Sequence, residues 1–186
     1  MVCTGDNLSR YLTDNLPLEE LSKTAAQMDY SCWLVGGVLR DVLLGRPISD
    51  VDLVTDTDPT KLAQQWARQQ GAHWFWLDKQ RQQSRVLLRY GKLEFYFDFA
   101  PLRAPSLIED LHLRDFTINS MALPLVTPLT DQQLIDPLQG REALQSFSLR
   151  QCSEKSMEDD PLRILKGIRH CVELDLSIMS ETEICM

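Results

Sequence analysis

The stretch "CWLVGGVLRDVLLGRPISDVDLVT", residues 32–55, constrains this chain more than any other part of it. A short apolar run stops at Gly36-Gly37, a helical pattern follows and closes at Gly45, and an alternating Asp-apolar segment begins at Asp50. Glycine at the end of a buried strand lets the backbone turn sharply and approach a bound group closely. The N-terminus of the next helix offers free N–H donors to a phosphate, and Arg40 in that helix has the forked donors that suit phosphate oxygens. The same residues also fit a plain strand-to-helix turn, with Arg40 and Asp41 in a surface ion pair. Asp50 and Asp52 stand two apart, so on a strand both carboxylates leave the same face. Held together they repel unless a cation lies between them. Mg²⁺ suits that place, being hard and usually held by one or two carboxylates plus substrate phosphates. Alone, Asp-x-Asp also fits a solvated strand. Together, the diglycine, the arginine and the paired carboxylates favour a site for a phosphate-bearing ligand with metal.

A third carboxylate on a neighbouring strand would complete a two-metal arrangement for in-line displacement at phosphorus. Asp98, inside "FYFDFAPLR", is the candidate. It lies in the last of three expected strands, "HWFWL", "SRVLLRY" and "LEFYFDFA", each rich in aromatic or β-branched residues, with Gly91-Lys92 as the final turn. "LPLEELSKTAAQM" and "TKLAQQWARQQ" read as helices, the second started by Asp58-Pro59 and ended by Gly71. "SLIEDLHLRDFTINSMAL" reads as helix and then a strand near Met121–Leu123, "DPLQGREALQS" as a turn and short helix, "FSLRQ" as a short strand. "DDPLRILKGIRHCVELD" reads as a helix with Leu162, Leu165, Ile168 and Val172 on its apolar side. The fold class is therefore α/β (α+β), with one mixed sheet flanked by helices. Residues 1–30 read as an N-terminal helical segment, 31–150 as the main domain and 151–186 as the start of a further helical part.

The 186 residues carry a net charge of -8, which excludes a freestanding basic nucleic-acid binder, since phosphate neutralisation supplies most of such a protein's affinity. Five scattered cysteines (Cys3, Cys32, Cys152, Cys171 and Cys185), with no zinc spacing and no signal peptide, fit reduced thiols in a cytoplasmic protein. No stretch approaches a membrane span. His73, His112 and His170 are isolated and read as packing or surface residues. Trp74 and Trp76 read as sheet packing. Arg81, Arg85 and Arg89 either brush RNA or form a solvated face.

"LVGGVLRDVLLG" with "SDVDLVT" resembles the opening signature of the polymerase-β-like nucleotidyltransferases that add CCA to tRNA 3′ ends, a head shared with bacterial poly(A) polymerases. "LRDFTINSMAL" resembles their second motif, and "DDPLRILKGIRH" their nucleobase-selecting helix. The resemblance runs from Trp33 to the C-terminus. It implies a polymerase-β-like head, Mg²⁺ held by Asp50 and Asp52, and catalysis by these two with Asp98. It implies nucleotide contacts from Gly36, Gly37, Arg40, Arg114, Asp115 and Asn119, and base reading by Asp160 and Arg163 with Lys166 and Arg169 nearby. Leu113 stands where the second motif usually has Arg, Ser120 where Ala is usual, Asp159 for Glu and Lys166 for Arg. Lys keeps the charge and loses the planar fork.

The base-reading pair can be checked by chemistry. A carboxylate accepts hydrogen bonds and a guanidinium donates them. Cytosine and adenine both place an exocyclic amine beside an unprotonated ring nitrogen, whereas uracil and guanine show the reverse. One Asp with one Arg therefore accepts CTP and ATP. Asp160 before Pro161 also fits a helix cap whose carboxylate is occupied by backbone N–H groups. The implied function is template-independent, Mg-dependent transfer of CMP or AMP to a tRNA or other RNA 3′ end. Two alternatives stay open: a nucleotidyltransferase acting on a non-RNA substrate, and a head that binds nucleotide without efficient catalysis. The family's helical body, which grips the acceptor arm, is expected to follow where this sequence stops. The chain alone is therefore expected to bind tRNA weakly.

Overall fold

The computed structural model describes residues 8–186; Cys3 and the polar N-terminal stretch lie outside the described residues. Two helices come first, α1 (Leu8–Asn15) and α2 (Leu18–Gln27). Then follow β1 (Cys32–Val35), α3 (Gly37–Leu43), β2 (Asp50–Thr55) and α4 (Thr60–Gln70). Strands β3 (His73–Asp78), β4 (Gln83–Tyr90) and β5 (Leu93–Pro101) lead to α5 (Leu107–His112) and β6 (Ala122–Pro124). The chain closes with α6 (Gly140–Gln145), β7 (Ser148–Leu149), α7 (Ser156–Asp159), α8 (Leu162–Leu174), β8 (Ser177–Ile178) and α9 (Ser180–Glu183). Short 3-10 turns cover Thr117–Asn119 and Asp131–Gln133.

Six strands form one mixed sheet in the order β3-β4-β5-β2-β1-β6. Only β2 and β5 run parallel; the other neighbours are antiparallel. Parallel pairing needs a crossover, and the stretch from α4 through β4 supplies it. Period-two patterning sorts the faces. Val51, Leu53, Val86, Phe95, Phe97 and Phe99 point into the core, where Trp66 of α4 meets Phe97 edge-on at 4.7 Å. The opposite face carries one row of directly paired positions: Phe75, Arg85, Asp98, Asp52, Val35 and Ala122. One continuous core reaches from Leu8 and Leu12 of α1 to Leu176, so the leading helices pack on the same interior as the sheet.

Most local signals place their elements as the sequence suggests. Asp58 Oδ1 accepts from Thr60 N at 2.8 Å to start α4, and Gly71 ends it in the left-handed region. Trp74 and Trp76 stack edge-on at 5.0 Å along β3. The apolar side expected of α8 is corrected. Leu162, Leu165, Ile168 and Val172 are 49–81 % exposed, and the buried residues are Gly167 and His170. The helix docks by a narrow edge because Gly167 lies so close to Phe116 that a Cβ there would come within 2.6 Å of its ring. Cys32 and Cys152 are buried, and burial pushes the Cys152 thiol up to about 12.

Candidate active site

β1 ends at Val35 and the chain turns at Gly36, whose φ of 75° lies where glycine alone is unstrained. A Cβ on Gly36 would sit 3.1 Å from Asp52 Oδ2 and 3.4 Å from Arg114 Nη1. A carboxylate from β2 and a guanidinium from after α5 thus converge on the bare backbone of this turn. Arg40, one turn into α3, makes the ion pair with Asp41 that the sequence allows. Its Nε and Nη2 grip Asp41 at 3.0 and 2.8 Å, while Nη1 donates to Asn119 Oδ1 at 2.6 Å. The pair is not on the open surface; it lines the cleft with only 13 % of the Arg40 side chain exposed.

Beneath the turn lies a chain of buried polar contacts. Ser106 and Glu109 form a reciprocal cap that starts α5. Asp110, fully buried in that helix, accepts from Arg103 N and Nε at 3.0 and 3.2 Å. It also accepts from Arg114 Nε and Nη2 at 3.2 and 2.9 Å. Burial opposes its charge, but Arg114 and then Arg103 outweigh that and hold the carboxyl below the usual range. Asp115 likewise loses solvation and is held low by Lys166, Asn119 and the Phe116 N–H. Asn119 Nδ2 donates to Asp115 Oδ1 at 3.0 Å and meets His170 Nε2 at 3.2 Å. His170 Nε2 then accepts, which requires a neutral ring. Burial first, then the Arg40 charge, brings the His170 pKa down to about 4.

α8 closes the other side. Arg163 Nη1 donates to the Arg114 and Ser156 carbonyls and to Ser156 Oγ, and Nη2 to the Leu113 carbonyl at 3.0 Å. Asp160 Oδ1 accepts from Leu162 N at 3.1 Å, although the N-cap position of α8 is Pro161 and not Asp160, and Oδ2 is left over. Lys166 and Arg169 project into the same cleft, Arg169 lying 3.9 Å from Glu173. The cleft holds about 490 Å³. Its lining includes six cationic side chains (Arg40, Arg103, Arg114, Arg163, Lys166, Arg169) against five carboxylates (Asp41, Asp50, Asp52, Asp115, Asp160). In a chain of net charge -8, this lining is close to charge balance rather than acidic.

At the cleft's edge, Asp52 and Asp98 are register partners on β2 and β5. Asp98 is turned away, its two oxygens gripped by Arg85 Nε and Nη2 at 2.6 and 2.7 Å. It lines a smaller neighbouring cavity of about 250 Å³ that it shares with Asp52 and Arg114. Burial, with the Asp98 charge next, pushes the Asp52 pKa above the ordinary carboxylate value, against the pull of Arg114. Among the described residues, no three His, Cys, Asp or Glu side chains are grouped to hold a metal ion. With Asp98 engaged by Arg85, the remaining carboxylates are Asp50 and Asp52, the oxygen-donor pair that suits one Mg²⁺ completed by substrate phosphates. Asp52 Oδ2 against the bare Gly36 turn leaves the side-chain-free space such an arrangement needs.

The family described as Poly A polymerase head domain matches residues 32–150. The chain belongs to that family. This head domain is 36% identical over 167 residues to the CC-adding tRNA nucleotidyltransferase of Geobacter sulfurreducens, covering 89% of this chain and 37% of that protein. Among solved structures, the Thermotoga maritima CCA-adding enzyme complexed with tRNA superposes with a TM-score of 0.83 at 31% identity, over 97% of this chain and 44% of that one. A tRNA nucleotidyltransferase complexed with a primer tRNA and an incoming ATP analogue gives 0.77 at 33% identity, over 89% and 48%. The chain spans less than half the length of each of these relatives.

The chain gathers Gly36, Gly37, Arg40, Asp50, Asp52, Arg114, Asp115, Asn119, Asp160, Arg163, Lys166 and Arg169 around one cleft, the last four lying beyond the residues that match the family. Asp98 stands beside it. Three further residues escaped the motif reading. Asp110 aims Arg114, and its signal is a carboxylate in the last turns of a helix four residues before an arginine just past the helix end. His170 is buried against Phe116, as the packing reading expects, and in addition it meets Asn119 across 51 positions of chain. Arg81 and Arg89 are solvated as the sequence suggests, with 77 % and 81 % of their side chains exposed, whereas the reading of Arg85, 26 % exposed, is corrected. All three pair with carboxylates: Arg81 with Asp78 at 3.7 Å, Arg89 with Glu94 at 2.9 Å, and Arg85 with Asp98.

Proposed function

We propose that this head domain transfers CMP and AMP from CTP and ATP to the 3′ end of tRNA, in a reaction dependent on Mg²⁺. The observation that carries the reading is the convergence at the Gly36 turn of Asp52 from β2 and Arg114 from the second motif, facing α8 across one cleft. Asp50 and Asp52 would hold the ion, which when bound supplies charge neutralisation at the reacting phosphate. The Gly36-Gly37 backbone, Arg40 and Arg114 receive the triphosphate. Asp110 and Asn119 fix the directions of the two guanidiniums, so little reorientation accompanies binding.

Base choice belongs to Asp160 and Arg163. Asp160 Oδ2 and the Arg163 N–H groups not already bonded to carbonyls present the acceptor and donor that cytosine and adenine require. Arg163 therefore has two tasks, tying α8 to Leu113 and Arg114 and reading the base. The relatives support the reading: one is named for adding C to tRNA, and another is bound to primer tRNA with an ATP analogue.

The test incubates the chain with each NTP, Mg²⁺ and tRNA transcripts ending before CCA, CA or A, alongside direct nucleotide titrations. Binding and incorporation of CTP and ATP over UTP and GTP, abolished incorporation in Asp52→Ala, and an intact fold are the expected results. Equal binding of all four nucleotides, or near-normal activity in Asp52→Ala, contradicts the assignment.

A further inference from the structure

Asp98 and Arg85 are direct cross-strand partners on β5 and β4, and Asp98 and Asp52 are direct partners on β5 and β2. The three side chains therefore stand in line on one sheet face, with Asp50 one pair further along β2. Arg85 engages both Asp98 oxygens in a two-pronged contact, and its Nη2 lies 3.9 Å from Asp50 Oδ1. The guanidinium is also stacked 5.0 Å from the centroid of the Tyr96 ring, which shares the face two residues before Asp98. Three anchors fix it: a carboxylate, a second carboxylate at the edge of reach, and an aromatic face. Each is a contact that a metal cation beside Asp98 would have to compete for or displace.

We propose that Arg85 is a built-in cation for Asp98, so that the head as folded takes one divalent ion, on Asp50 and Asp52. A second ion enters only when Arg85 releases Asp98. Arg85 is thus a positioning residue that sets metal occupancy, and the inference rests on the metal-dependent reading above. The contrast with Asp110 supports it. The carboxylate of Asp110, held by the cleft-lining Arg103 and Arg114, is itself closed off from solvent. The Asp98–Arg85 pair keeps 24 % and 26 % of its side chains exposed, at the mouth of the site, where exchange for a solvated ion is open. Phe75, the row neighbour of Arg85 on β3, is also exposed. A lysine at this position would keep the charge but lose the fork that takes both oxygens.

Free Mn²⁺ counted by electron paramagnetic resonance, in titrations of the purified chain with and without a non-hydrolysable CTP analogue, tests the proposal without an activity readout. The expected result is one bound ion in the wild type and two in Arg85→Gln. The count should return to one in Arg85→Gln/Asp98→Asn, with Arg85→Lys admitting the second ion at an affinity between wild type and Arg85→Gln. Circular dichroism and urea unfolding confirm that each variant is folded. A wild-type chain that takes two ions, or folded Arg85→Gln and Arg85→Lys chains that take no second ion, overturns it. Asp52→Asn separates the two readings: retention of the first ion in that variant sinks the metal assignment itself, whatever Arg85 does.

Discussion

On the inner face of β2 and β5, Val51, Leu53, Phe97 and Phe99 are closed off from solvent under Trp66. One residue along each strand, the outer face carries Asp50, Asp52 and Asp98. The same two strands thus build an interior and the proposed site back to back. The inner face asks only for apolar volume, and every neighbour improves it. The outer face is a balance of charges in which Asp98 is neutralised by Arg85, while Asp52 is left against the Gly36 turn with its pKa pushed up by burial and by Asp98. Stability is stored on one side of the sheet. Charge kept out of balance for a ligand is stored on the other.

The comparison is broken most forcefully from the inside. Phe97→Ala removes the ring that Trp66 packs against and should cost about 3–5 kcal/mol in urea unfolding. A loss comparable to that of a surface substitution would mean that the inner face is not the load it is taken to be. The next largest effect is on the cleft side and depends on pH. His170 sits at about 4 in the fold against an ordinary 6.5, so the unfolded chain takes up the proton first. Its contribution is complete above about pH 6.5 and is lost as pH falls towards the folded value, about 2 kcal/mol being gone by pH 5. Unfolding midpoints at pH 7 and pH 5 should diverge in the wild type, and less so in His170→Gln, which keeps an acceptor but does not titrate. Equal slopes in the two proteins would remove His170 from the balance.

A smaller effect has the opposite sign. Without metal, Asp52→Asn should raise the melting temperature, because it deletes a charge that burial and Asp98 both disfavour. A fall in melting temperature would show Asp52 to be stabilising and the outer face to be ordinary structure. The smallest effect belongs to α8. Val172 is 81 % exposed, so Val172→Glu should change unfolding free energy by less than about 0.5 kcal/mol. A large loss would mean that this apolar row is covered in the protein as it is folded in solution.

Legibility in the sequence follows the range of the interaction. Period-two alternation in "DVDLVT" and "LEFYFDFA", the stop at Gly36 and the helix start at Asp58-Pro59 are local, and each marks its element because strand pleat and helix turn repeat over a few residues. α8 shows the limit of that logic. Its helical period was readable, but the apolar side it implies is the exposed one, since what a helix buries depends on what is laid against it.

The sequence by itself determined the membership of the chain in its family, the strand-turn-helix that begins the site, and which side chains are chemically able to meet phosphate, metal and base. Only the tertiary structure decided how those side chains are shared out. It turned Asp98 towards Arg85 rather than towards Asp52, bound Arg163 to the carbonyls of Leu113 and Arg114, and brought His170 to Asn119. The physical reason is that a charged or hydrogen-bonding group takes the partner that strand register and helix docking bring within about 3 Å. That choice is made between segments far apart in the chain, where no local pattern records it.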